Sequence, residues 1–212
     1  DRHDQEKARE KMLRELQTYL RLKNYPQRIE CFDISMIHGA HAVGSMVTFI
    51  GGEADKNLFR HFRIRTIDAS SGGDDFGMML EMLKRRFSRG KAEADLPDLI
   101  VVDGGKGQLA MALAAMSEVG IDGVDAVGLA KMRVQAAARS AEIERSEERV
   151  FLPGQSHPVI LKRNSNALFL LQRVRDEAHR FAITHHRKLR SKHTLASALD
   201  RVPGIGGVRK RA

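Results

Sequence analysis

The sequence predicts an α/β domain built around one mixed sheet: three antiparallel strands, then helix, strand, helix and strand, with further helices flanking them. Three observations lead there. Short apolar runs rich in β-formers recur between residues 28 and 65, the run Leu99-Ile100-Val101-Val102 is uninterrupted, and apolar residues return at helical spacing on either side of that run. With 212 residues, 42% of them hydrophobic, the chain can bury one good core.

Taken in order, Ala8, Met12, Leu16, Tyr19 and Leu20 sit at helical spacing within residues 5–23, and Asn24-Tyr25-Pro26 stops this amphipathic helix. Arg28 to Ser35 and Ala42 to Ile50 read as two strands, followed by a Gly51-Gly52 turn. Asn57 to Arg65 reads as a third, with Leu58, Phe62 and Ile64 on one side and Arg63 and Arg65 on the other. After a Ser70-Ser71-Gly72-Gly73 loop, Phe76, Met79, Leu80, Leu83 and Phe87 form a helical stripe ending near Gly90. Leu99 to Val102 fits a central strand covered on both faces; Gly104-Gly105 then leads into a helix over 107–119, and Asp125 to Leu129 makes a fifth strand. This order sets the first strand beside the fourth. Residues 131–149 are charged and poor in large apolar groups, which predicts an exposed excursion outside the core. Val150 to Gly154 and Val159 to Leu161 can pair as a hairpin, and Leu168, Leu171, Val174, Ala178 and Phe181 define the buried stripe of a long helix through about Ile183, with His185 to Lys192 at the helix end and its exit. The expected organisation is an amphipathic helix over 1–25, the main domain over 26–192 and a separate basic element over 193–212.

Lys and Arg total 36 against 27 Asp and Glu, a formal charge of +9, so the surface attracts polyanions and nucleic acid heads the partners. Cys31 is the only cysteine, which excludes an internal disulfide framework or a cysteine metal site. No apolar stretch reaches the roughly 18 residues of a membrane span, and Asp1-Arg2-His3-Asp4 is unlike a secretory signal. A cytoplasmic protein with no membrane partner and no small-molecule substrate is expected. Lacking an initiator Met, the chain reads as a piece of a longer one.

The chemistry concentrates at strand ends. Asp33 closes the first strand and Asp103 the fourth, so if those strands are neighbours their carboxylates converge as hard oxygen ligands suited to Mg²⁺ or Mn²⁺. His179, one position beyond buried Ala178, can ligate that metal or carry a proton. Asp74-Asp75 opens the helix at 76, where acidic groups suit a helix start; Asp75 is the functional candidate of the two. Gly104-Gly105-Lys106-Gly107-Gln108 is not a phosphate loop, since Ile100 and Gly107 replace the residues that motif needs; its glycines allow close backbone approach and Lys106 offers charge to a phosphate. Arg175 and the run from His185 to Lys192, including Lys188, extend a basic track. It leads to Val202-Pro203-Gly204-Ile205-Gly206 and Lys210, where a Gly-apolar-Gly hairpin can present amides to phosphate.

Together, Ile29-Glu30-Cys31-Phe32-Asp33-Ile34-Ser35, Gly73-Asp74-Asp75-Phe76, Val102 to Gln108 and Arg175 to Ile183 resemble the carboxy-terminal half of the UvrC family, the excinuclease ABC component that cuts DNA. The resemblance spans essentially the whole chain. It implies a ribonuclease H-like fold, an active site of Asp33, Asp103 and His179 with Asp75 as a further required carboxylate, and incision 5′ to a lesion in damaged double-stranded DNA. It also implies delivery by UvrB after UvrA has acted, and a truncated helix-hairpin-helix module at Gly204, Ile205 and Gly206. One departure is visible: the family usually carries His directly after the Phe-Asp-Ile-Ser block, where this chain has Met36-Ile37-His38. A non-catalytic DNA-docking module and another ribonuclease H-like nuclease are the competing readings.

Overall fold

Alternation along the strands decides which side chains face which helices, and a computed structural model describing residues 2–37, 41–65, 75–131 and 148–200 shows the result. Seven strands form one sheet: β1 (Arg28–Ile37), β2 (His41–Ile50), β3 (Glu53–Ala54), β4 (Arg60–Arg63), β5 (Leu99–Asp103), β6 (Asp125–Lys131) and β7 (Glu148–Phe151). Their order is β3-β2-β1-β5-β6-β7, with β4 also paired to β2. The central pairs β1/β5 and β5/β6 are parallel, whereas β1/β2 and β6/β7 are antiparallel. The expected neighbourhood of the first strand and the Leu99 strand is therefore present.

Among the described residues four helices cover the sheet: α1 (Arg2–Leu20), α2 (Asp75–Ala92), α3 (Lys106–Val119) and α4 (Asn166–Asp200). Ile29 and Cys31 of β1 pack with Val101 of β5, Leu16 of α1 and Leu171 of α4. Phe32, Ile100 and Val102 point the other way, into α2 and α3 through Met82, Phe87 and Ala112. Asp33 shares the parity of Ile29 and Cys31 and so belongs to the α1/α4 layer. The opposite layer also buries Glu30, fully enclosed and held by Arg86 through Nε and Nη2 at 3.0 and 2.7 Å.

Three expectations about the elements need correction. The third strand is only Arg60–Arg63, because Asp55 caps a 3-10 turn at Lys56–Leu58 by accepting from the Asn57 N–H at 3.1 Å. The long helix does not end within His185 to Lys192 but continues to Asp200, since no Gly or Pro interrupts it before Pro203. Glu148, assigned to the exposed excursion, is buried in β7; residues 132–147 of that excursion lie outside the described residues. The expected pairing around Gly154 is present: Val150 and Val159 are bridged antiparallel, each N–H donating to the other's carbonyl at 3.0 and 2.8 Å.

Candidate metal centre

Register builds the site. Phe32 pairs with Val102 across the parallel β1/β5 ladder, so Asp33 and Asp103 follow one residue later on adjacent strands. Both then emerge at the same end of the sheet on the α4 side. Gly104 turns the chain away at once, with φ +150° and its N–H donating to Leu129 O at 2.9 Å. Gln108 folds back to accept from the Gly105 N–H at 3.1 Å, which starts α3. The neighbouring strand must leave room: a Cβ on Gly128 would lie 2.8 Å from Gly104 O. The glycine-rich segment thus forms a tight strand-to-helix turn that leaves Asp103 at the rim.

From above, α4 lowers His179 onto this pair, and its Nε2 lies 2.5 Å from Asp103 Oδ2. One ligand atom from each of Asp33, Asp103 and His179 can be chosen so that all lie within 4.8 Å of one another. Burial, followed by the facing Asp103, pushes the Asp33 carboxyl up to about 6, against opposing effects of His179 and a hydrogen bond from Ser35 Oγ at 3.3 Å. The hydrogen bond to Asp103 raises the His179 imidazole above its ordinary value, with burial opposing and both carboxylates contributing. Two crowded carboxylates and an imidazole fit a hard divalent cation that supplies the missing positive charge. Side-chain exposures of 45% for His179 and 22% for Asp103 leave the site open to a large substrate. Cys31 lies beneath it and is kept as a thiol by burial, with the two carboxylates adding to that shift.

Other candidate residues separate into distinct places. Asp75 is the exposed first residue of α2, outside the three-residue cluster, and its neighbour Phe76 lies against Gly107, where a Cβ would come within 2.3 Å of the ring. Lys106 and Lys188 are exposed. Arg175, expected on the DNA track, turns inward: it is 3% exposed and its Nη1 pairs with buried Glu148 Oε2, so its charge is satisfied within the protein. Gly204, Ile205, Gly206 and Lys210 lie outside the described residues.

Sequence reasoning missed two parts of the surroundings. Glu148 gave a usable signal, since Glu148 and Val150 share a face of β7 and only the chemistry of Val150 was read as buried. The second is a row across the sheet: Asp33 pairs with Ser45, and Ser45 with His61, whose Nδ1 lies 3.3 Å from Ser45 Oγ. His61 stacks between Phe181 and His185, each with ring centroids 3.9 Å away. Burial, with His185, His186 and Lys188 adding to the shift, lowers it to about 4, so it is a neutral packing group. No motif announces such a cross-strand row.

Comparison with known proteins places these features in context. The family described as the UvrC RNAse H endonuclease domain matches residues 17–183. The chain is 49% identical over 213 residues to the UvrABC system protein C of Syntrophotalea carbinolica, covering 100% of this chain and 34% of that protein. It is 52% identical over 211 residues to the UvrABC system protein C of Geobacter metallireducens, again covering 100% and 34%. The chain therefore spans about a third of the length of these relatives. Among solved structures, a Ciona intestinalis endonuclease V in complex with DNA aligns over 84% of this chain and 97% of its own, with 11% identity and a TM-score of 0.48.

Proposed function

Since the chain belongs to the UvrC RNase H endonuclease domain family, we propose that it is a divalent-metal-dependent DNA endonuclease that makes the 5′ incision beside a lesion in bacterial nucleotide excision repair. The observation that carries this reading is the convergence of Asp33, Asp103 and His179 at one open sheet end. Asp33 and Asp103 hold Mg²⁺ or Mn²⁺ through carboxylate oxygens, with His179 as the third ligand or as a proton carrier at Nε2. When bound, the cation supplies Lewis acidity at the phosphate and an activated water. The Asp103 contact orients the imidazole, and Ser35 Oγ holds one oxygen of Asp33 in place. Asp75 is assigned as an additional carboxylate near the substrate, reached from the start of α2.

The proposed partners are damaged double-stranded DNA and UvrB, in the cytoplasm, with residues 193–212 beginning a helix-hairpin-helix module. The test is 5′ incision of a damaged duplex preloaded with UvrB, measured with Mg²⁺, with Mn²⁺ and with chelator. Wild type should cut only with metal, and Asp33→Asn should lose at least about a hundredfold, the scale of losing a catalytic electrostatic group. Incision retained in Asp33→Asn sinks the assignment; duplex binding without any cutting by wild type favours a docking module.

A further inference from the structure

We propose that His61 is a positioning residue for the metal centre: gripped between Phe181 and His185, it fixes the roll of α4 about its own axis and so holds His179, as a metal ligand, over Asp103; this rests on the metal-centre reading above. The anchoring of α4 is uneven along its length. Its large buried side chains, Leu168, Leu170, Leu171, Val174 and Arg175, all precede His179. From His179 onward the only buried side chain among the described residues is Ala182, which is too short to lock the helix against rotation.

The stack at His61 supplies the missing lock. Phe181 and His185 stand one helical turn apart, and the His61 imidazole lies between their rings, with centroids 3.9 Å away and interplanar angles of 11° and 25°. Phe59 meets the Phe181 ring edge to face at 5.1 Å and closes the inner jaw. The imidazole is itself held, since its Nδ1 lies 3.3 Å from Oγ of buried Ser45. Ser45 stands opposite Asp33 in the β1/β2 ladder, so the helix is referenced to the row of the sheet that carries this carboxylate.

Helical geometry turns the grip into control of His179. Phe181 follows His179 by two residues, about 200° around the axis, so the two project from opposite flanks of α4. One flank meets Asp103 on β5 and the other meets His61 on β4. With β1 and β2 between them, these strands are three spacings apart, about 14 Å. A helix with its side chains is about 10–12 Å across, so α4 bridges that span, and a roll of about 15° carries an imidazole about 1.5 Å. A ligand set needs placement within about 0.5 Å. His61 acts only through the helix, because the ligand group among the described residues is Asp33, Asp103 and His179.

The test is the Mn²⁺ affinity of the 212-residue chain, measured by calorimetry. His61→Ala removes the gripped ring, and His185→Ala removes the outer jaw, which lies beyond Ala182. Each should weaken Mn²⁺ about tenfold, the low end for losing an outer support of a metal ligand. His61→Phe keeps a flat ring in the grip and should stay within about threefold of wild type. A double-mutant cycle separates positioning from general packing: added to His179→Ala, His61→Ala should weaken Mn²⁺ no further, whereas a packing loss weakens both backgrounds equally. Melting curves verify that each variant is folded, and His185→Ala carries the cycle where His61→Ala is not. Wild-type affinity in either folded alanine variant, equal losses in the two backgrounds, or His61→Phe as weak as His61→Ala overturns the inference. Wild type that binds no Mn²⁺ removes the metal-centre reading and the inference with it; binding lost in Asp33→Asn but unchanged in His61→Ala keeps that reading and removes only the inference.

Discussion

Asp33 is a carboxyl group placed where ionisation is costly. Burial and Asp103 push it up to about 6 from 3.8, so between those values the folded chain holds a proton that the unfolded chain has released. Stability without metal therefore falls as pH rises through that window, by an amount on the order of 3 kcal/mol. His179 acts in the same direction: stability from its raised protonation is present below its ordinary 6.5 and is lost as pH rises through its higher folded value. A divalent cation competes with both protons, so its stabilisation should grow with pH. Thermal melts with and without Mn²⁺ should show a larger metal-induced rise near about pH 8 than near about pH 5.5. Asp33→Asn should melt higher than wild type without metal at the upper pH and show little metal response. The two aspartates were legible because each ends an apolar strand. The coupling of their proton equilibria to His179 was not, because it depends on α4 crossing this particular sheet end.

The contact between β7 and α4 places His179, four residues after Arg175, at its height above Asp103. Arg175 and Glu148 are 3% and 2% exposed, so removing either partner leaves the other charge buried. Glu148→Leu alone should cost about 3–5 kcal/mol in urea unfolding, whereas Glu148→Leu/Arg175→Met should recover most of that loss. A double variant no more stable than the single would show that the pair is not the main interaction at this junction. This pair also marks the limit of pattern reading: a charged stretch ordinarily faces water, and only a partner on another element makes it core. Strand β4 is short for a different reason, since the cap by Asp55 competes locally with the ladder. By contrast, Leu99 to Val102 and the stripe from Leu168 to Ala178 were legible in type and position, because a run buried on both faces and a helix buried on one leave distinct periods.

At the scale of the molecule, α4 extends from the core at Leu168 past His179 to Asp200 and so joins the candidate active site to the basic residues beyond it. Deleting residues 201–212 removes Arg201, Arg209, Lys210 and Arg211. Duplex affinity near 0.1 M salt should then fall by at least about tenfold, while the metal-induced rise in melting temperature stays unchanged. An equal loss of metal response would mean that this segment supports the domain and is not only a DNA contact. The position of His179 also has a consequence for biosynthesis. A chain that has emerged from the ribosome only as far as Phe151 contains, among the described residues, every strand of the sheet and both aspartates, but not the helix that completes the ligand set. His179 is therefore the last of the three candidate ligands to be synthesised, and a chain ended before α4 lacks the complete set.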